Sequence, residues 1–300
     1  MISFLCWFIH CLLILLSVAF FTLFERKVIG SFHIRLGPNK VSFVGLVQPL
    51  LDAFKLIIKQ NLTPLQSNKF VYNLSPHAAL FLSYMVWMTV PRVYFLFSLN
   101  FSLVIFFCLG SFIVFPVLMS GWSSNSKYRL IGSLRSVAQS VSYESVFSTL
   151  VVILLLILIS FSIRSLLVQS SLFSFLLFPV WFICTLAETH RAPFDFSEAE
   201  RELVSGFNTE YSGIYFAFLF LSEYGVLLFS CVLMSYIFLL PFMSYSVVSL
   251  TVSTLFLRFL CIWVRITFCR FRYDILIMSS WKVLLPFTLN LFLFTSLLFI

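Results

Sequence analysis

The stretch MISFLCWFIHCLLILLSVAFFTLF, Met1–Phe24, contains no Asp, Glu, Lys or Arg. As a helix rising 1.5 Å per residue it reaches roughly 36 Å, enough to cross about 30 Å of hydrocarbon. It is too long for the apolar core of a signal peptide and has no basic segment before it, so it reads as a first spanning helix. No Arg-rich amphipathic leader precedes it, and a transit peptide is not expected. Similar runs recur along the whole chain, which is 61% hydrophobic and only 10% charged. A soluble chain carries about a quarter charged residues. The polar interruptions between the runs are only loops. The expectation is an all-α integral membrane protein, residues 1–300 forming a single polytopic domain.

Run length and charge gaps predict about eight spans, near 2–25, 70–90, 95–118, 131–162, 168–189, 212–240, 246–266 and 281–299. Between the first two lies VGLVQPLLDAFKLIIK, residues 44–59. Its apolar residues Leu46, Leu50, Phe54, Ile57 and Ile58 share one helical face, with Asp52, Lys55 and Lys59 mostly off it. This predicts an amphipathic helix lying in the membrane interface, with a short re-entrant core helix as the alternative. Pro91 and Pro241 should end spans, Gly37-Pro38-Asn39 should turn, and Pro193 should stop the fifth span. No long internal repeat is present.

Basic residues follow this topology. One set of loops and flanking helix ends holds sixteen of the nineteen Lys and Arg, the opposite set holds Arg92 and Arg164, and Arg258 lies within a span. The positive-inside rule then places both termini on the non-matrix, or non-cytoplasmic, side. The formal charge of +8 therefore reflects topology and not nucleic-acid binding.

The carboxylates carry the functional signal. Between Thr185 and Tyr211, TLAETHRAPFDFSEAERELVSGFNTEY, stand six of the chain's eleven: Glu188, Asp195, Glu198, Glu200, Glu202 and Glu210. Placing a charge toward the centre of a membrane helix costs roughly 2.5–3.5 kcal/mol even on mild scales, so such groups are paired, hydrated or used. Asp195 and Glu198 have capping-box spacing, which explains part of the cluster by helix-start electrostatics. Glu188 instead ends an apolar helix. Glu144 and Glu223 fall inside spans, each needing a partner or water, with Gln139, Ser142, Tyr143 and Tyr224 near them in sequence. A hydrated, proton-handling acid cluster is one reading and packing-only hydrogen-bonded glutamates the other. Among the basic groups, Arg26, Arg35, Arg270 and Arg272 read as fixed in place, with Glu25, Asp52 and Asp274 available as partners. Headgroup contact is their plainer role.

The seven cysteines include no C-x-x-C pair and the four histidines are scattered. Neither set suggests a disulfide framework, a metal site, a haem or a cysteine-held iron–sulfur cluster. No Gly-rich nucleotide loop is present. The forty Phe read as lipid-facing filler without chemistry.

Five segments together resemble one family: FERKVIGSFHIRLGPNK from Phe24, GLVQPLLDAFKLIIKQ from Gly45, SGWSSNSKYRLIGSLRSVAQSVSYE from Ser120, the acidic stretch from Thr185, and WVRITFCRFRYDILIMSSWKVLLP from Trp263. The chain resembles the quinone-site membrane subunit, subunit 1, of respiratory NADH:ubiquinone oxidoreductase (complex I). The resemblance implies eight spanning helices and a tunnel by which ubiquinone, the substrate, approaches an iron–sulfur cluster of the peripheral arm. It also implies an acidic proton-coupling passage toward the antiporter-like subunits. By motif, Glu144, Glu188, Asp195, Glu198, Glu200, Glu202, Glu210 and Glu223 would belong to that passage, and Arg26, Arg35, Asp52, Arg270 and Arg272 to the tunnel or its entrance. Glu25 and Asp274 would support them. Partners would be peripheral-arm quinone-site subunits, antiporter-like subunits, ubiquinone and membrane lipid. NADH, FMN and iron–sulfur clusters would reside in partner subunits and none in this chain. Three departures stand out: His190 where the family usually has Asn, Gln60 where Glu is common, and Cys269 where Pro is common. The end at Ile300 and the absence of a leader look like the mitochondrially encoded form, in the mitochondrial inner membrane, for which the side holding both termini is the intermembrane space.

Two rivals remain at this level. A stand-alone secondary transporter should show inverted repeats or broken helices, and a purely structural scaffold should tolerate loss of the loop carboxylates.

Overall fold

The structure, a computed structural model, describes residues 2–90, 101–158, 172–195, 206–240 and 246–299. Glu198, Glu200, Glu202, Pro91, Pro241, Arg92 and Arg164 lie outside the described residues, as does the helix expected to follow the Asp195 cap. Among the described residues there is no strand. The α-helices are α1 (Ile2–Phe32), α2 (Gln48–Ile58), α3 (Lys69–Trp87), α4 (Ser102–Ser123), α5 (Lys127–Leu158), α6 (Leu172–Glu188), α7 (Gly213–Met234), α8 (Val247–Thr267), α9 (Tyr273–Ser279) and α10 (Leu285–Phe299). Wider π turns extend α7 through Ser235–Leu239 and join α9 to α10 through Ser280–Leu284.

Among the described residues six helical segments are long and apolar enough to cross a membrane: Phe8–Phe32, Ser102–Ser123, Lys127–Ile157, Gly213–Leu239, Val247–Thr267 and Tyr273–Leu297. The shorter α6 packs on α5, and the more polar α3 packs on α4 and α7. Helix ends overrun the boundaries read from charge. The first helix continues through Glu25-Arg26-Lys27 to Phe32, the α5 helix begins at Lys127, and the last helical run begins at Tyr273 rather than near 281. A charge limits how deep a residue sits in lipid, but it does not stop i→i−4 hydrogen bonding. Lys282 can extend its ammonium to the interface from within a helix.

The α5 helix is central, packing on α4, α6 and α10 and on the Gly206–Asn208 turn. Small residues permit these approaches. A Cβ on Gly121 of α4 would lie 1.9 Å from Ser133 Oγ of α5, so only glycine fits there. The α3 and α7 helices are tied by Trp87 Nε1–H donating to Gly225 O at 3.0 Å. Gly213, at φ +58°, starts α7 where a Cβ would meet Asn61 Oδ1 at 2.4 Å. The same Oδ1 accepts from Ile214 N at 3.0 Å.

The filler reading of phenylalanine needs correction. Phe106, Phe147, Phe229 and Phe238 are buried; Phe147 and Phe238 pack on Trp181, the Phe147–Trp181 centroids being 4.5 Å apart, and Phe106 packs on Phe147 and Phe229. Edge and tilted contacts of this kind build a core from rings alone. Phe112, Phe115, Phe256 and Phe294 do face outward.

The α2 helix is not part of that core. Leu46, Leu50, Phe54, Ile57 and Ile58 are all exposed. Its polar side meets α1, where Arg26 pairs with Asp52 at 2.7 Å and Gln48 Nε2 donates to Asp52 Oδ1 at 2.9 Å.

Candidate functional site

The α6 helix ends in hydrogen bonds that the sequence around Glu188 dictates. His190 N donates to Ala187 O at 3.3 Å and Arg191 N to Leu186 O at 3.2 Å, the paired closure of a Schellman motif. It requires a left-handed residue at His190, whose φ is 49°. Glycine or Asn usually fills such a position, and His tolerates it better than most residues. From α5, Gln139 Nε2 donates to Ala187 O at 2.9 Å and to Phe194 O at 2.8 Å. The loop leaving α6 is thus clamped to the central helix five residues before Glu144. Pro193 falls beyond the stop, since the helix has already closed at Glu188.

This closure puts Glu188 and His190 on the wall of a cavity of about 110 Å³ between α3, α4, α5 and α7. A water position needs roughly 10–15 Å³ on such a measure, so several waters fit. Glu144 from α5 and Glu223 from α7 line the same space, with Ser111, Ser136, Ser140, Thr189 and Ser222 among otherwise apolar walls. Three of the acids singled out in the sequence therefore meet, from three helices. Glu144 lines this space near Ser111 of α4 and lies within electrostatic range of Glu188.

The polar groups near Glu144 and Glu223 in sequence are used elsewhere. Tyr143 O–H reaches Leu276 O and Ser279, each at 3.2 Å. Ser142 donates to Gln139 O at 2.8 Å. Tyr224 O–H donates to Glu25 Oε2 at 2.8 Å.

Glu25 is the hub of a second cluster. Only 6% exposed, it accepts from Tyr224, pairs with Arg265 of α8, and lies 3.6 Å from Arg191. The Arg191 guanidinium also sits over the Tyr224 ring, 3.9 Å from its centroid. Burial works against the Arg191 charge, but Tyr224 and Glu25 outweigh it, with a contribution from Glu223, so the guanidinium stays firmly protonated. Adjacent residues on a helix point about 100° apart, so Glu25 turns into the bundle while Arg26 turns to α2.

Other sequence candidates sit apart. Asp195 does not line the cavity and pairs with Arg270 at 3.4 Å. Arg272 and Asp274 form an exposed pair at 3.1 Å. Arg35 makes no ion pair among the described residues, and neither it nor Arg26 lines the cavity. Glu210 pairs at 3.7 Å with Arg129, in the first turn of α5, and it does not line the cavity either. Among the described residues no three His, Cys, Asp or Glu side chains converge as a metal site.

Sequence reasoning underrated three arginines. Arg129 is 0% exposed, donates from Nε to Phe207 O at 2.7 Å and lies over the Tyr211 ring at 3.9 Å. Arg191 and Arg265, not Arg26, Arg35, Arg270 or Arg272, hold Glu25. An Arg beside the acids in THRAPF and another in WVR at the end of an apolar run were the available signals.

His190 gives a pH prediction. Burial lowers its imidazole to about 4, below an unfolded value of about 6.5. The folded state then binds fewer protons, so stability falls as pH drops through the window from 6.5 to 4. At pH 5 the loss approaches roughly 2 kcal/mol, taking 1.36 kcal/mol per unit. His190→Gln is expected to melt less steeply with falling pH than the wild type when thermal midpoints of the purified complex are compared between pH 7 and pH 5. Parallel curves for the two proteins would refute the buried neutral imidazole.

Comparison with known proteins agrees with the architecture. A model of the family described as NADH dehydrogenase matches residues 6–296. The NADH-ubiquinone oxidoreductase chain 1 of Aedes aegypti is 44% identical over 286 residues, covering 94% of this chain and 91% of that protein. The chain 1 proteins of Heterololigo bleekeri (44% over 294 residues, 95% and 94% covered) and Bradypus variegatus (43% over 295 residues, 94% and 93% covered) are similarly close. With both the whole length and the helical membrane bundle accounted for, the chain belongs to the NADH dehydrogenase family of chain 1 subunits.

Proposed function

We propose that this chain is the membrane subunit of NADH:ubiquinone oxidoreductase that receives ubiquinone and couples its reduction to proton movement. It has no separate bond chemistry of its own. The observation that carries the reading is the gathering of Glu144, Glu188 and Glu223, with His190, around one cavity large enough for water. Hydrated carboxylates in a membrane interior are the groups that take up and release protons. Reduction of the quinone head creates negative charge and a demand for protons. In a low-dielectric interior such a charge acts over long range, and the acids answer by exchanging protons. Arg191, bound to Glu25 and within the field of Glu223, supplies a fixed positive charge between the inner loops and the cavity.

In this reading Arg26, Arg35, Asp52, Arg270 and Arg272 line the tunnel or its entrance, with Glu25 and Asp274 in support. Asp195, Glu198, Glu200, Glu202 and Glu210 continue the acidic passage. Eight spans place both termini on the intermembrane-space side of the mitochondrial inner membrane. The exposed apolar face of α2 rests in the membrane interface. The partners are peripheral-arm quinone-site subunits and antiporter-like subunits, which hold the NADH, FMN and iron–sulfur chemistry.

A photoreactive ubiquinone analogue in native membranes tests this. Label is expected on peptides spanning residues 26–52 or 270–274, and excess ubiquinone should compete it away. Absence of label from the chain, or label that ubiquinone does not displace, would favour a scaffold or a self-contained transporter.

A further inference from the structure

We propose that Arg258 is a docking point for another subunit of the assembly, whose transmembrane helix brings an Asp or Glu to the guanidinium at mid-depth. The α8 helix has 21 residues, about 30 Å at 1.5 Å per residue, which matches the hydrocarbon thickness. Arg258 stands eleven residues after Val247 and nine before Thr267, hence roughly 16 and 14 Å from the two ends. Basic residues near helix ends extend to the headgroups. From the middle of a span that reach falls short, so a lipid phosphate does not serve as the counter-charge.

This chain does not supply one either. Among the described residues Arg258 has neither an ion pair nor a hydrogen bond, and its Nε is enclosed without an acceptor. Of the eleven acids, five are held by other arginines: Glu25, Asp52, Asp195, Glu210 and Asp274. Three more, Glu144, Glu188 and Glu223, line the cavity, which no α8 residue touches. Glu198, Glu200 and Glu202 lie outside the described residues, in the segment after Asp195, whose own partner Arg270 comes past the end of α8.

The surface leading to Arg258 is open. Val248, Thr251 and Leu255 are exposed and, at spacings of three and four, share one face of α8 with Arg258. The next residue on that face, Ile262, is buried. Arg258, itself half-buried, thus closes an exposed apolar stripe. A helix laid along the stripe covers it and sets a side chain against the guanidinium. Charge complementarity makes that side chain a carboxylate, because an intramembrane cation persists when it is paired and arginine's planar fork binds both carboxylate oxygens. The inference rests on membership in a multi-chain oxidoreductase and not on quinone coupling.

The test places a photoreactive side chain on the stripe, Leu255→p-benzoylphenylalanine, in the assembled complex in native membranes. After irradiation, a crosslink is expected to an apolar helix of another subunit, with an Asp or Glu within two turns of the linked residue. The same probe at Thr251 serves if the first variant does not assemble. Arg258→Leu should then lower the amount of assembled complex by on the order of tenfold, since it strands the carboxylate in hydrocarbon. Replacing that acid by Leu as well should restore most of the assembly, because an apolar pair substitutes for a buried ion pair at little cost. Crosslinks confined to lipid chains, a linked helix without an acid, normal assembly of Arg258→Leu, or a double variant no better than the single one each overturns the proposal.

Discussion

Glu188→Gln is expected to assemble normally yet lose quinone-reductase turnover by on the order of tenfold or more, with proton pumping falling in step. Glutamine keeps the size and hydrogen-bonding shape of the side chain but cannot ionise, so what is removed is proton exchange. The loss of a positioned acid–base group costs roughly 10²–10⁴-fold where that group is obligatory. A smaller effect follows if neighbouring acids share the work. Glu188 sits where the α6 backbone closes and lines the same cavity as Glu144, and residues that act as one unit lose activity non-additively. The double variant Glu144→Gln with Glu188→Gln should therefore cost much less than the product of the two single losses. The measurement is NADH:ubiquinone turnover in membranes matched for complex content. Wild-type turnover in an assembled Glu188→Gln complex would remove this residue from the mechanism.

Arg129→Met is expected to destabilise the subunit by about 3–5 kcal/mol, the usual cost of removing one partner from a buried charged pair. The guanidinium is wholly buried, binds Phe207 O, faces Glu210 and lies over the adjoining rings of Tyr211 and Tyr72, 3.9 and 5.1 Å from their centroids. Methionine replaces the apolar stem but leaves the Phe207 carbonyl without its donor and the Glu210 carboxylate without its cation. The turn at Gly206–Asn208, which leads into α7, loses its anchor on α5. The readouts are the amount of assembled complex in membranes and its thermal midpoint. Normal accumulation with an unchanged midpoint would show that the turn is held by Tyr72 and Tyr211 alone. Arg129→Lys should fall between, because an ammonium keeps the charge but not the planar fork.

The two clusters differ in how far sequence could foresee them. Glu144 and Glu223 were legible because each interrupts an apolar run, and Glu188 because it ends one, since hydrocarbon penalises charge one residue at a time. Their meeting on one cavity wall was not legible, since it depends on the rotations of α5, α6 and α7. The partners of Glu25 were misjudged for a related reason. Arg26 is its neighbour in the chain, but helix geometry sends it to Asp52, while Arg191 and Arg265 arrive from 166 and 240 residues away. His190 was visible as an unusual residue beside the acids. Its left-handed backbone and its place on the cavity wall came from the closure of α6.

By itself the sequence determined that this is a helical membrane chain, where its apolar runs lie, and which carboxylates stand out against them. Solvation acts on each segment separately, so composition and spacing are enough to read it. Tertiary structure alone decided which acids line one cavity and which arginines hold Glu25. Those outcomes depend on helix rotation and close approach, set by contacts such as Gly121 on Ser133 and Gln139 on the end of α6, between residues that no local pattern connects.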